Sequence, residues 1–297
     1  MNATILSNNE KHYPVLLKEI LSIISPQNGG TFIDCTFGQG GYSQSILNFS
    51  KTKVIALDRD IDCKRVAENL ERKNKKRFTF YNKKFGDIDQ IKYEDLKIKG
   101  IIFDLGYSYT QIKDPKKGLS FENSGPLNMR MGINEFTASD VVNKLEQKDL
   151  ELIFKFFGDE KKSKLISKKI VLERSQGLID TQKLVKIINS SKKNNNKKIH
   201  NATKVFQALR IFVNKEISEL IYGLIKSVKI LETNGLIIVV SFHSLEDKII
   251  KYFFKSLSEQ TKISRYYPEP LKEKKVLKLG TKKPIFPSKG EITINKS

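Results

Sequence analysis

Strand-like and helix-like segments alternate along the first hundred residues of this 297-residue chain. Apolar residues from Val15 to Ile24 recur at helical spacing, and residues 26–30 interrupt that pattern with Pro and Gly. Short apolar runs predict four buried strands, at residues 31–35, 53–58, 78–81 and 100–105, with a helix over 63–72. Alternation of this kind is typical of a parallel sheet that is covered by helices on both faces.

The alternation stops between about residues 111 and 204, where the pattern predicts amphipathic helices and loops. Thr137-Ala-Ser-Asp140 predicts a capping box that opens one helix. Further helices are predicted over residues 150–157, 165–172 and 184–188, followed by a polar loop at 189–198.

The α/β pattern then resumes. Helical periodicity extends from Phe206 to Leu224, and the strongest apolar run of the chain predicts a strand over residues 236–242. We therefore predict an α/β fold with a doubly wound parallel sheet and an inserted all-helical domain. In this division residues 1–112 and 205–297 form a discontinuous sheet domain, and residues 113–204 form the insertion.

The composition excludes several classes of protein. Hydrophobic residues make up 39% and charged residues 29%, so the chain is neither a disordered tail nor a fibrous repeat. The longest purely aliphatic run, residues 236–240, is too short for a membrane span, and residues 1–11 lack the apolar segment of a signal peptide. Cys35 and Cys63 are too few for a disulfide framework or a zinc site. We expect a cytoplasmic protein.

The formal net charge of +21 has two explanations. A genome whose codons favour Lys, Asn and Ile would produce a high total without any binding role. The distribution favours a partner, however, because residues 161–204 hold thirteen basic side chains against Glu173 and Asp180. A polyanion such as nucleic acid suits this excess, and a solvated lysine-rich surface is the equally weighted alternative.

The first predicted strand leads from Asp34 into a glycine-rich turn, Gly38-x-Gly40-Gly41, and the second strand ends at Asp58. Glycines at such a turn let the backbone approach an adenosyl ligand closely. A carboxylate at the end of the second strand can accept two hydrogen bonds from a ribose diol. The sequence therefore predicts a nucleoside-containing cofactor.

Two residues distinguish between cofactors. Ser43 stands where a nicotinamide enzyme has Gly or Ala, at the sixth position of its glycine motif. Asp34 would repel a pyrophosphate but suits the ammonium and sulfonium of S-adenosylmethionine. The alternative for Asp34 is a purely local role, in which its side chain caps the loop.

Several longer motifs occur together and in order over roughly residues 10 to 255. They are His12-x-Pro-Val-Leu-Leu-x-Glu19, Asp34-x-Thr-Phe-Gly-x-Gly-Gly41, Asp58-Arg-Asp60, Asp104-Leu-Gly-x-Ser108, Gly118-x-Ser-Phe121, Gly125-Pro-Leu-x-Met-Arg-Met131, Phe206-Gln-Ala-Leu-Arg-Ile211 and Ser241-Phe-His-Ser-Leu-Glu-Asp247. In these motifs the chain resembles the bacterial ribosomal RNA small-subunit methyltransferase H family, whose older name is MraW.

The resemblance implies an S-adenosylmethionine-dependent methyltransferase with a Rossmann-like sheet and an inserted helical domain. The family methylates N4 of a cytidine in the decoding centre of 16S rRNA, so we expect a cytoplasmic partner of the 30S subunit, monomeric or dimeric, with no membrane association. The cofactor contacts that it implies are made by Gly40, Gly41, Tyr42, Asp58, Phe85, Asp104 and Gln111. No metal is implied.

The chain departs from the family pattern at a few positions. Tyr42 stands where members usually have His, Tyr107 and Tyr109 stand where smaller residues are usual, and Asn128 replaces the common Asp. Tyr42 keeps a hydroxyl for cofactor binding. The chain also ends at Ser297, about where relatives continue into a last strand; residues 291–295 are the alternative candidate for that strand.

Methyl transfer to cytosine N4 requires alignment and a hydrogen-bond acceptor for the amine, because the nitrogen lone pair is conjugated with the ring. Asp104 is the candidate acceptor, and a purely cofactor-binding role is its alternative. His243 is a candidate substrate contact, although a lone histidine more often has a structural role.

The target base must leave its stack to reach the donor. Tyr107, Tyr109 and Phe121 are candidates to clamp it, with core packing as the alternative. Arg130, Lys204 and Arg210 are candidate phosphate contacts.

Two other functions are consistent with parts of the sequence. A non-catalytic RNA-binding assembly factor could keep the fold, although the glycine turn and Asp58 argue against it. A DNA amino-methyltransferase would usually carry Asp/Asn-Pro-Pro-aromatic after the fourth strand, whereas this chain has Asp104-Leu-Gly-Tyr.

Overall fold

The computed structural model describes residues 13–93, 96–122, 125–132, 134–192, 200–258, 275–281 and 283–294. Five strands form one sheet in which every pairing is parallel. The strands are β1 (Gly30–Asp34), β2 (Thr52–Leu57), β3 (Phe78–Tyr81), β4 (Ile98–Asp104) and β5 (Leu236–Val240). Their order is β3-β2-β1-β4-β5. The predicted α/β class and its parallel sheet are confirmed.

The described helices flank the sheet and also form most of the segment between β4 and β5. Those near the first four strands are α1 (Leu17–Ile24), α2 (Gly41–Leu47), α3 (Lys64–Lys73) and α4 (Tyr109–Lys113). Between β4 and β5 follow α5 (Ala138–Lys144), α6 (Gln147–Gly158), α7 (Ser163–Arg174), α8 (Thr181–Ser191), α9 (Thr203–Asn214) and α10 (Glu216–Ile230). After β5 come α11 (Ser244–Ser258) and α12 (Lys289–Ile294).

Each face of the sheet has its own apolar core. On β1, Phe32 packs with α1, α2 and α3 on one face, and the next residue, Ile33, packs with α10 on the other. Both side chains are fully buried. This arrangement explains the near-continuous apolar strands of the sequence, because a parallel sheet that is covered on both sides needs apolar residues at successive positions.

A third core lies among the helices between β4 and β5. It includes Phe154 of α6, Ile170 of α7 and Leu184 of α8, and Leu209 of α9 packs into the same cluster. The capping box is present at the start of α5, where the Thr137 hydroxyl accepts from the Asp140 N–H (3.1 Å) and the Asp140 carboxylate accepts from the Thr137 N–H (2.9 Å). The domain boundaries at residues 113 and 204 stay a prediction.

Three local predictions differ from the structure. The helical periodicity from Phe206 to Leu224 belongs to two helices, because Lys215 adopts a left-handed conformation (φ 52°) between α9 and α10. The start of the predicted polar loop, residues 189–191, is the last part of α8, and residues 193–198 lie outside the described residues. Residues 291–294 belong to helix α12 rather than to a strand, and residue 295 is outside the described part.

Among the helices that the structure describes, none combines the length and apolarity that a membrane crossing requires.

Candidate active site

Three carboxylates lie at the carboxyl edge of adjacent strands. Asp34 is the last residue of β1, Asp104 is the last residue of β4, and Asp58 directly follows β2. The strand order places β1 between β2 and β4, so the chain winds outward in both directions from the β1–β4 pair. Ligands of open parallel sheets bind at this switch point, outside the carboxyl ends of the strands.

The glycine-rich turn connects β1 to α2 in a tight path. Gly38 and Gly40 have positive φ angles of 51° and 75°, which residues with a side chain adopt with strain. A Cβ on Gly41 would lie 2.2 Å from Cγ of Pro14, so that position has no room for one. The predicted need for glycine at this turn therefore has two physical causes, backbone conformation and close packing.

Asp58 fixes the turn to the end of β2. Its Oδ2 accepts from the Gly38 N–H (2.7 Å), and its Oδ1 accepts from the Asp60 N–H (2.8 Å). Burial raises the pKa of Asp58, while these two backbone hydrogen bonds lower it in part. The Cys63 thiol also donates to this carboxylate, so of about four acceptor positions one remains in principle for a ribose hydroxyl.

Asp34 is fully buried and has protein partners on both oxygens. Its Oδ2 accepts from the Ser43 hydroxyl (2.6 Å), and its Oδ1 accepts from the Thr36 N–H (3.3 Å). Burial raises its pKa to about 6, with the Ser43 hydrogen bond acting in the opposite direction. The side chain thus joins the end of β1 to α2, which is the local role that the sequence left open beside cation binding.

Asp104 differs from both, because one of its oxygens has no partner. Its Oδ1 is buried and makes no hydrogen bond to any of the described residues. Burial, followed by the charge of Asp34, raises the pKa of Asp104 to about 7, against a lowering hydrogen bond from Tyr42. An acceptor that is buried and unpaired costs free energy unless a ligand supplies the missing donor.

Tyr42 is buried beside Asp104 at the start of α2. Its hydroxyl lies within hydrogen-bond reach of both the Val15 carbonyl and the Asp104 carboxylate, which share its one proton. Burial, with the Asp104 charge second, raises the pKa of the phenol. Tyr42 therefore connects the segment before α1 to the carboxyl edge of the sheet.

The two remaining predicted cofactor contacts have structural partners. Gln111 is buried; its Oε1 accepts from the Ser108 N–H (2.9 Å), and its Nε2 donates to Asp60 (2.6 Å). Phe85 packs edge-on against Phe103, with 5.4 Å between ring centroids. Their contacts with a cofactor stay predictions.

A compact network of charged side chains joins the α9–α10 junction to the start of α11. It contains two of the predicted RNA contacts, Arg210 and His243. Arg210 donates to both oxygens of Glu216 (2.9 and 3.0 Å), and His243 Nε2 lies 3.0 Å from Glu246. Arg210 also stacks on Tyr107, at 5.0 Å from the ring centroid. Arg210 is thus engaged inside the protein, which disfavours a direct phosphate contact, whereas His243 Nε2 is buried near Glu246 without a hydrogen bond to the described residues.

Metal-ligand atoms of Glu216, His243 and Glu246 lie within 4.8 Å of one another. Because Arg210 occupies both oxygens of Glu216, this group is an ion-pair network rather than a metal centre. Neither Glu216 nor Glu246 was predicted from the sequence as part of a site. The spacing of His243 and Glu246 was a usable signal, since His243 directly precedes α11 and its Nδ1 accepts from the Glu246 N–H (3.4 Å), as a capping residue does.

The other predicted substrate contacts differ in their hydrogen-bond partners and in their exposure to solvent. Arg130 Nε donates to Asn128 (2.9 Å), so the amide at this position keeps the acceptor that the common Asp would supply. Lys204 donates to the Asp159 carbonyl (2.7 Å) and keeps 39% of its side chain exposed. Phe121 is half-buried in the helical core, and Tyr109 lies outside the described side chains.

Comparison with known proteins decides the family. A family model described as the MraW methylase family matches residues 9–297. The ribosomal RNA small subunit methyltransferase H of Rickettsia bellii is 42% identical over 290 residues, which cover 96% of this chain and 95% of that protein. The protein of the same name from Rickettsia conorii is 41% identical over 96% of this chain and 94% of its own length. This chain belongs to the MraW methylase family.

A solved structure described as a putative rRNA methylase from Clostridium thermocellum is similar over 33% of this chain and 54% of its own, with 20% identity and a TM-score of 0.27. The family assignment depends on the sequence matches, which extend along nearly the whole chain.

S-adenosylmethionine is the methyl donor of this methylase, and the residues present fit it. Asp34, Asp58 and Asp104 make the carboxyl edge of the sheet acidic, which suits a cationic ligand. The turn at Gly40 and Gly41 has no space for side chains, because a Cβ there would meet Phe37 or Pro14 of the protein itself. Asp58 would hold the ribose, and Asp34 adds negative charge behind the turn.

Proposed function

We propose that this MraW-family methylase transfers a methyl group from S-adenosylmethionine to N4 of a cytidine in the decoding centre of 16S rRNA. The names of its relatives support a ribosomal RNA of the small subunit as substrate. The proposal includes the 30S particle as the form in which the RNA is presented, and the cytoplasm as the compartment.

The observation that carries the proposal is the unpaired oxygen of Asp104 at the end of β4. When bound, the donor supplies an electrophilic methyl group on a sulfonium whose leaving group is a neutral thioether. No acid is then required from the protein. The chain must hold the amine in line with the methyl carbon and accept its protons.

Asp104 suits both tasks in its carboxylate form. Its free Oδ1 can accept an N–H of the cytosine amine, which turns the nitrogen lone pair toward the donor. As the new N–C bond forms, the amine becomes cationic and must lose one proton. A carboxylate with a pKa near 7 can take that proton at neutral pH without strong basicity.

We further propose that the helices within residues 113–204 recognise the RNA. The support for this proposal is the charge of residues 161–204, which contain thirteen basic side chains and two acidic ones. Polyanion binding by such a surface is electrostatic, and it weakens as salt increases.

The test is incubation of the protein with tritiated S-adenosylmethionine and one of three acceptors: 30S particles that lack the modification, protein-free 16S rRNA, or duplex DNA. We expect transfer to the 30S particles, with N4-methylcytidine as the labelled nucleoside by mass spectrometry. Label in DNA, or on another base, would contradict the proposal. Asp104→Asn is the matched variant, since it keeps the shape and removes the charge; it should retain RNA binding and lose transfer.

A further inference from the structure

Three aromatic rings form a continuous stack where α9 begins. The imidazole of His200 lies parallel to the ring of Phe121, with 4.4 Å between centroids and 11° between planes. Phe121 in turn meets Phe206 edge-on at 5.6 Å. Phe206 is buried in the helical core, Phe121 is half-buried, and His200 is exposed. The stack therefore runs from the core to the surface and ends in an imidazole.

Local hydrogen bonds fix the orientation of that imidazole. His200 Nδ1 accepts from the Ala202 N–H (3.2 Å), and the His200 carbonyl accepts from the Thr203 N–H (3.1 Å). An accepting Nδ1 places the proton of the neutral ring on Nε2. The exposed ring thus offers a π-face and an N–H donor, and Phe121 is the only ring that it contacts within the described part of the chain.

Two lysines, each paired with an acid, lie on either side of the stack. Lys192 donates to the Asn201 carbonyl (2.6 Å), which holds the end of α8 beside His200. On the other side, Phe121 follows Lys117, whose ammonium pairs with Asp60 at the cofactor edge. Four residues span at most about 14 Å, so the Cα of Phe121 lies no farther than that from the Cα of Lys117.

We propose that His200, supported by Phe121, is a stacking platform for an unpaired RNA base next to the target cytidine. Bases of single-stranded RNA stack on aromatic side chains, histidine included, without a requirement for one base identity. The inference rests on the proposed function, because it takes RNA as the substrate. It adds a contact that positions the RNA, and His200 has no part in the chemical step.

Two substitutions separate stacking from the structural role of the same residue. His200→Asn keeps an acceptor for the Ala202 N–H and removes the ring, whereas His200→Phe keeps a ring and removes the acceptor. The probe is an unstructured RNA oligonucleotide of the decoding-centre sequence with 2-aminopurine beside the target cytidine, whose fluorescence decreases on stacking. Cofactor affinity and unfolding midpoint are measured for each variant, with His200→Tyr as a second ring-bearing variant if His200→Phe is unstable.

We expect the wild type and His200→Phe to quench the fluorescence and to bind the oligonucleotide alike. His200→Asn should lose the quenching and bind roughly 5- to 100-fold more weakly, with unchanged affinity for S-adenosylmethionine. If His200→Asn behaves as the wild type, or if the ring-bearing variants are the ones that lose quenching, the stacking role is wrong.

Methylation of 30S particles by the wild type tests the proposed function separately. Normal methylation together with an unaffected His200→Asn overturns the stacking role alone. Quenching that depends on the ring, in a protein that transfers no methyl group, overturns the proposed function and keeps the RNA contact.

Discussion

Asp58 and Asp104 are chemically identical groups in similar positions after parallel strands, yet their hydrogen bonding differs. Both oxygens of Asp58 accept backbone N–H groups, one of them from the glycine turn. Asp104 keeps one buried oxygen without a partner in the described residues. The first arrangement suits a group that shapes a binding site, and the second suits a group that waits for a donor from a ligand.

Replacing Asp58 tests the binding role. Asp58→Ala removes the acceptor for Gly38 and the charge that ribose hydroxyls would contact. We expect affinity for S-adenosylmethionine to fall roughly 10- to 100-fold, the range of one or two hydrogen bonds to a charged group. Calorimetric titration measures it. Asp247→Asn, a half-exposed acid on α11, is the control. Equal affinities in Asp58→Ala and wild type would refute the ribose assignment.

The pH dependence of the methyl-transfer rate tests the role of Asp104, and a variant of its neighbour Tyr42 should shift that dependence. If the carboxylate form is active, the single-turnover rate rises with pH through about 7, the pKa of Asp104. The Tyr42 hydrogen bond lowers that pKa, so Tyr42→Phe should raise it and move the midpoint to higher pH. Rates at saturating donor from about pH 6 to pH 9 measure the shift.

Tyr222→Phe is the control for this experiment, since Tyr222 is exposed on α10. Its midpoint should equal that of the wild type. A midpoint for Tyr42→Phe that stays in place or moves to lower pH would show that the phenol does not control the ionisation of Asp104.

Among the elements, the strands were predictable, whereas the break between α9 and α10 was not. Apolar runs located β1 to β5 within one or two residues, because strands buried on both faces need such runs. The break between α9 and α10 has no equivalent signal. It depends on Asn214, fully buried, whose side chain accepts from the Met131 N–H (2.9 Å) and donates to the Met129 carbonyl (2.8 Å). Residues distant in sequence thus determine where the helix ends.

The left-handed conformation of Lys215, at the break between α9 and α10, leads to a prediction about stability. Lys215 is exposed and holds a left-handed conformation, which costs a non-glycine residue about 1–2 kcal/mol. Lys215→Gly removes that cost, less the larger entropy of glycine in the unfolded chain, so we expect about 0.5–1 kcal/mol of added stability. Urea unfolding measures it, with Lys215→Ala as the control that keeps the strained φ. A glycine variant no more stable than the alanine variant would contradict this account.

At the scale of the whole molecule, Arg59 connects the cofactor edge to the helical segment. It directly follows Asp58, and its guanidinium donates to the Asn214 carbonyl (2.9 Å) and to Asn134 (2.8 Å). The sequence predicted the two parts but not this connection. The reason is that hydrogen bonds between residues far apart leave no periodic pattern, whereas cores and glycine turns do.

The lysines that follow α8 lead to a prediction about RNA binding. The sequence placed Lys192 with the loop lysines, but its ammonium pairs with the buried Glu160, so it belongs to the folded core. Alanine at Lys193, Lys197 and Lys198 should therefore be tested without it. If all three contact phosphates, the slope of log affinity against log salt should decrease by about 2.

Three lysines on or beside α3, Lys64, Lys73 and Lys75, are the matched control, since their loss changes the net charge equally. Titration of decoding-centre RNA at several salt concentrations measures both slopes. Equal slopes for the two triple variants would mean that the 193–199 region contributes only general charge.

The position of β5 also has a consequence for how the protein is made. β5 pairs with β4, yet the described chain passes through seven helices, α4 to α10, between Asp104 and Leu236 before it returns. Closing so long an excursion is entropically costly and slow, so this pairing should come late. His243 and Glu246 reach the neighbourhood of Asp104 only then. During synthesis, methylation competence should therefore appear only after nearly the entire polypeptide has left the ribosome that makes it.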